Sequence, residues 1–114
     1  MVIMSFPATY NLSLYAGDTY EFVVVPRNSD ASSFSLVGYT AEMNIATSRG
    51  ATTKISVQAV VDSVLNIVTC TILPGVSGAL SPSTTYVYDV QITNGSTKIY
   101  TLLTGSVSVT EDVS

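Results

Sequence analysis

Eight carboxylates, seven tyrosines and one thiol carry most of the side-chain chemistry open to this chain of 114 residues, which has no histidine and no tryptophan. Glycoside hydrolysis needs two Asp or Glu flanking a scissile bond at a set separation. Asp89 and Glu42 are the candidates, each in the middle of an alternating apolar and polar run. That alternation puts both on polar faces, where carboxylates are ordinarily solvated or paired with a nearby cation, and no nucleophile, base and orienting group can be assembled around them. Asp18, Asp30 and Asp62 fall in turn-like stretches, where an Asp side chain bonds the backbone amides that follow it. The pairs Asp18-x-x-Glu21 and Glu111-Asp112 are too sparse for calcium. Without histidine there is no His-based triad and no Cys/His zinc site, and Cys70 has no partner for an internal disulfide. The expectation is a chain that is not an enzyme and uses no metal or cofactor.

The tyrosines offer a second chemistry. Tyr86 and Tyr88 on one strand, with Tyr100 across a turn, would make a sugar-stacking platform, and a carbohydrate-binding module for surface attachment is the alternative function this suggests. The competing reading makes them cross-strand core pairs with their hydroxyls at the rim. Asn11-Leu12-Ser13 and Asn94-Gly95-Ser96 match the glycosylation sequon, which a chain rich in Ser and Thr produces by coincidence.

Charge narrows the partners. With 4 basic and 8 acidic side chains the net charge is −4, and charged residues make up 11% of the chain, against about 25% in an ordinary soluble domain. The hydroxyls of 16 Ser and 15 Thr do most of the solvating. Arg27, Arg49, Lys54 and Lys98 are scattered, so no basic stripe meets a phosphate backbone and nucleic acid is not an expected partner. The first residues, from Met1 to Pro7, lack the charged and continuous apolar regions of a signal peptide, and no stretch approaches the roughly 20 apolar residues of a membrane span. Synthesis in the cytoplasm without a signal peptide, and no membrane association, are the expectations. A lone cysteine agrees with a reducing compartment.

These side chains must be positioned by strands, because apolar residues recur at every second position in short runs. Tyr10, Leu12 and Leu14, then Ala16-Gly17-Asp18, then Tyr20, Phe22 and Val24 read as a hairpin ending at Pro26. The small, polar stretch 27–35 is an exposed connection long enough to cross between sheets. Tyr39 to Ala46 places Ala41, Met43 and Ile45 on one face, Lys54 to Val61 places Ile55, Val57, Ala59 and Val61 inward, and Leu65 to Leu73 puts Val68, Cys70 and Ile72 in the core. Residues 74–83 are loop-like, with room for one helical turn around Gly78 to Leu80. Thr84 to Thr93 alternates most strongly, and Asn94-Gly95 after it favours a type I′ hairpin returning through Lys98 to Leu103. Past Gly105, a last run carries Val107 and Val109. The expected fold is all-β: a single antiparallel β-sandwich of about seven to eight strands, immunoglobulin-like or a related Greek key, without the Cys and Trp core of antibody domains. It spans residues 8–110, between an N-terminal arm (1–7) and an acidic C-terminal tail (111–114).

Two lysines cannot protect the several edges of such a sheet, so some edges are expected to be covered by a partner. The candidate interface residues lie in the two irregular segments: Arg27, Asn28, Asp30, Phe34 and Leu36 in the first, Val76, Leu80 and Pro82 in the second.

Four segments in order carry a resemblance: Tyr10 to Thr19 (YNLSLYAGDT), Leu36 to Ala46 (LVGYTAEMNIA), Thr85 to Val90 (TYVYDV) and Leu102 to Thr110 (LLTGSVSVT). Together they resemble small virion structural proteins of tailed bacteriophages, those of cyanobacterial phages in particular, over nearly the whole chain. The matching residues are turn glycines, core tyrosines and alternating strands, and no catalytic motif accompanies them. The resemblance implies a β-sandwich module located in the virion, a capsid decoration protein or a tail or baseplate adaptor. Its partners would be major capsid, tail or baseplate subunits and copies of itself, with the terminal arms reaching onto neighbours.

Overall fold

The alternation of apolar and polar residues builds strands along most of the chain. A computed structural model describes residues 2–5 (backbone only), 8–28, 30, 32, 34–50, 54–95 and 98–110. The strands are β1 (Val2–Ser5), β2 (Ala8–Thr9), β3 (Leu12–Tyr15), β4 (Tyr20–Arg27), β5 (Tyr39–Ala46), β6 (Ile55–Asp62) and β7 (Ile67–Ile72). A single helical turn, α1 (Pro74–Ser77), precedes β8 (Tyr86–Asn94) and β9 (Lys98–Thr110). The fold is all-β, as the period-2 pattern requires. Of the two ends of the chain, the segment 111–114 lies outside the described residues.

All the strands belong to one hydrogen-bonded path, β1-β4-β7-β6-β5-β8-β9-β2, with β3 also on β9. The path curls because β6 changes partner along its length. Ile55 to Val57 pair with β5, whereas Gln58 to Asp62 pair with β7. Connection 28–38 crosses from β4, on one flank, to β5, on the other. The long strands are antiparallel, but the pairs β1 with β4, β2 with β9 and β3 with β9 are parallel. One N-terminal segment therefore borders both open sides of the sheet. Val2–Ser5, expected to extend as an arm, runs beside Val24 to Arg27, and Leu12 to Tyr15 run beside Val107 to Thr110. The edges of β4 and β9 are thus partly covered by the chain itself.

Three local expectations change. The turn at Ala16 to Asp18 does not close a hairpin: β3 pairs with β9 and β4 with β7, so this turn carries the chain from one flank to the other. A tight turn signal fixes a reversal of direction but not which strand is bonded next. The helical turn begins at Pro74, four residues earlier than expected, because proline at a first helical position loses no hydrogen bond and has its φ preset. The hairpin after Asn94 is present, with Gly95 at φ 61°, yet Asn94 pairs with Lys98. Three residues then lie between the strands, a longer loop than type I′ provides.

Strand β9 holds a bulge opposite Val90 and Gln91, where the register moves from Leu103 to Thr101. The extra residue, Leu102, lets two consecutive side chains point inward, so Leu102 and Leu103 are both buried and the inward phase passes to Gly105, Val107 and Val109. Leu12, Leu14, Met43, Ile45, Val68, Cys70, Ile72, Tyr88, Val90 and Ile92 complete the centre of the core.

Gly105 is where the N-terminal segment is seated. The Tyr10 carbonyl oxygen lies where a Cβ on Gly105 would be, and it accepts the hydroxyl of Tyr88. The Tyr10 amide donates to the Thr104 carbonyl at 2.9 Å, and the Ser106 amide donates to Asn11 Oδ1 at 3.1 Å. At the same end of the strands, the buried Ser77 hydroxyl donates to the Asp18 carbonyl at 2.7 Å and accepts the Gly17 amide at 3.2 Å. This ties α1 to the turn between β3 and β4.

Candidate contact surface

The two segments expected to make contacts lie at opposite ends of the strands. Segment 28–38 joins the end of β4 to the start of β5, and 73–85 joins the end of β7 to the start of β8; β4 and β7 are antiparallel, which sets these connections apart. They form two separate surfaces.

In the first segment the backbone is shaped by its own polar groups. Asp30 accepts the Ser32 amide at 3.0 Å and the Ser32 hydroxyl at 2.6 Å, and these bonds hold its carboxyl below the usual carboxylate range. Asn28 donates through its side chain to Ser32 Oγ at 3.0 Å and through its amide to the Ser32 carbonyl. Arg27 is half-buried at the end of β4. Phe34 is half-buried in a three-ring cluster with Tyr39 and Tyr100, at centroid distances of 5.7 Å to Tyr39 and 6.1 Å to Tyr100. The two tyrosines are 6.3 Å apart. Leu36 is fully buried, so its side chain serves the core. In the second segment Leu80 is also core, Val76 is half-buried and Pro82 is exposed.

A feature beyond the sequence reading sits beside the first segment. The Leu36 amide donates to Asn66 Oδ1 at 3.0 Å, which fastens residues 36–37 to the turn between β6 and β7. That turn is built by Asp62, whose Oδ1 accepts the amides of Val64 at 2.9 Å and Leu65 at 3.1 Å, and by Asn66 at φ 55°. It presents two apolar side chains at its apex. Val37, Val64 and Leu65 are 68%, 88% and 65% exposed. A signal for them was present: Val64-Leu65 is an apolar pair between turn-forming Asp62-Ser63 and Asn66, where loops are ordinarily polar.

The other candidates take different places. Tyr86 and Tyr88 are core residues, with the Tyr86 hydroxyl accepting the Ser81 amide at 2.8 Å and the Tyr88 hydroxyl donating to Tyr10. They leave no ring face for sugar stacking, and Tyr100 packs elsewhere, with Phe34 and Tyr39. Glu42 and Asp89 share the outer face of β5 and β8, opposite Gln91 and Asn44 respectively. Glu42 accepts the Asn44 amide group at 3.1 Å, and the cleft beside Asp89 does not include Glu42. Burial pushes the Cys70 thiol up to about 12, which keeps it protonated and unreactive at neutral pH. Among the described residues no group of three or more His, Cys, Asp and Glu is placed to hold a metal ion, and no helix is long and apolar enough to cross a membrane. Compared with known proteins, the sequence matches no family model and no curated protein.

Proposed function

We propose that this chain is a non-enzymatic structural component of a tailed-phage virion, a capsid decoration protein or a tail or baseplate adaptor, that works through protein–protein contact. The observation that carries the reading is the apolar tip formed by Val37, Val64 and Leu65 on turns held by Asp62 and Asn66. Side chains on a fixed turn lose little freedom when they dock, so more of their burial is retained as affinity. Covering what these three expose is worth about 3–6 kcal/mol before association costs. That is a modest contact, which many copies on a symmetric particle would multiply. The phage assignment rests on the sequence resemblance, whose third and fourth segments are the β8 and β9 strands that seat the N-terminal segment.

The test is to locate the protein by labelling on purified particles and to compare the Val64→Asp/Leu65→Asp variant. Incorporation of the parent chain and loss of the variant are expected. Absence of the parent chain from purified particles, or full incorporation of the variant, overturns the reading.

A further inference from the structure

Half of the cations in this acidic chain stand at one place. Arg49 and Lys54, two of only four basic residues, line a cleft of about 190 Å³ on the outer face of the sheet, where β5 ends and β8 begins. Asp89 lines it too, so the local balance is 2 − 1 = +1 in a chain of net −4. The Arg49 guanidinium reaches across β8 and donates to the Gly105 carbonyl at 3.4 Å. Among the described residues neither Arg49 nor Lys54 makes an ion pair. The floor holds half-buried Ala46 and Val87, and Asn44 adds an amide at the wall.

Size and charge select the ligand. The cleft is smaller than the roughly 300–1,000 Å³ of small-molecule sites and takes no more than one or two side chains. A carboxylate suits paired guanidinium and ammonium donors, with its methylenes on the apolar floor. Asp89 in turn can accept a backbone amide of the segment that bears the carboxylate.

We infer that this cleft binds the acidic segment Glu111-Asp112 of a second copy of the chain. Ser106 lies opposite Val87, and β9 continues past it to Thr110, about 13 Å farther at the usual rise of a strand. Glu111 and Asp112 follow Thr110 in the sequence, β9 runs away from the cleft as far as Thr110, and two residues span at most about 7 Å. Two residues cannot reverse course and return over that distance, so the occupant comes from a neighbour.

The experiment titrates the peptide Val-Ser-Val-Thr-Glu-Asp-Val-Ser, residues 107–114, into the isotopically labelled full chain and follows backbone amide resonances. Saturable shifts at Ser48 to Gly50 and at Val87 to Asp89 are expected. Binding should weaken at least about tenfold in Arg49→Gln/Lys54→Gln, and equally for the Glu111→Gln/Asp112→Asn peptide, the factor one charge-assisted hydrogen bond carries. Both changed positions in the protein are exposed, so the fold is retained. Absence of shifts there, equal binding of the two peptides, or inorganic phosphate displacing the peptide at equal concentration would overturn the assignment.

Discussion

Replacing Gly105 by alanine tests how the N-terminal segment is held. The added methyl would overlap the Tyr10 carbonyl oxygen and stand 2.8 Å from its carbon and 3.1 Å from Tyr88 Cε1, where ordinary carbon contacts are about 3.5 Å or longer. The obstacle is backbone on one side and a buried ring on the other, so neither yields cheaply. Relief requires Tyr10 to move away from β9, which breaks its bond to Thr104 and the bond from Tyr88, and strains the one from Ser106 to Asn11. Two lost hydrogen bonds cost about 2 kcal/mol net, and residual overpacking adds about 1–3 kcal/mol. The expected loss is about 3–5 kcal/mol, a large part of the stability of a domain this size. Urea unfolding measures it, and hydrogen exchange locates it, with faster exchange at the Tyr10 and Ser106 amides. Gly75→Ala is the control, because nothing lies within 4 Å of its Cβ position and it sits in α1; it should be neutral or slightly stabilising. A Gly105→Ala loss below about 1 kcal/mol, with both amides still protected, would refute the reasoning.

Ser77→Ala should cost about 1–3 kcal/mol by stranding the Asp18 carbonyl and the Gly17 amide, read as a lower urea midpoint. Asn66→Ala should destabilise by about 2 kcal/mol and Asn66→Gly by about 1, because both lose the bond to the Leu36 amide but only alanine is strained at positive φ. Alkali should unfold the protein. Burial raises Cys70 to about 12 and raises Tyr20 and Tyr88 as well. The unfolded thiol ionises first, near 9, so stability should be constant below that pH and fall as pH climbs towards 12. Urea midpoints measured against pH should show this slope, less steep in Cys70→Val.

The strands were legible because each needs only its own alternation. Met43 and Ile45, Cys70 and Ile72, and Tyr88 and Val90 are buried as their spacing requires. What the sequence did not disclose depends on partners far along the chain. The residues around Gly17 announce a turn, but the strands beside it find their hydrogen bonds at β9 and β7. The phase change at Leu102 and Leu103 exists only relative to Val90 and Gln91 across the ladder. Tyr39 and Tyr100 meet because β5 and β9 both flank β8, and Phe34 joins them from the crossing connection. The tyrosine grouping failed for the same reason: Tyr86 and Tyr88 share the inner face of β8 with Ile92, the residue opposite Tyr100, yet their hydroxyls are taken by backbone groups of other segments.

The placement of residues 2–5 along β4 and of residues 8–15 along β9 sets an order of events in synthesis. A ribosome makes this segment before anything it rests on. The Asn11 side chain waits 95 residues for the Ser106 amide, and Tyr10 waits 78 for Tyr88. Closing loops of that length before any contact rewards them makes folding slow. The nascent chain therefore gains its final lock only once β9 has left the exit tunnel.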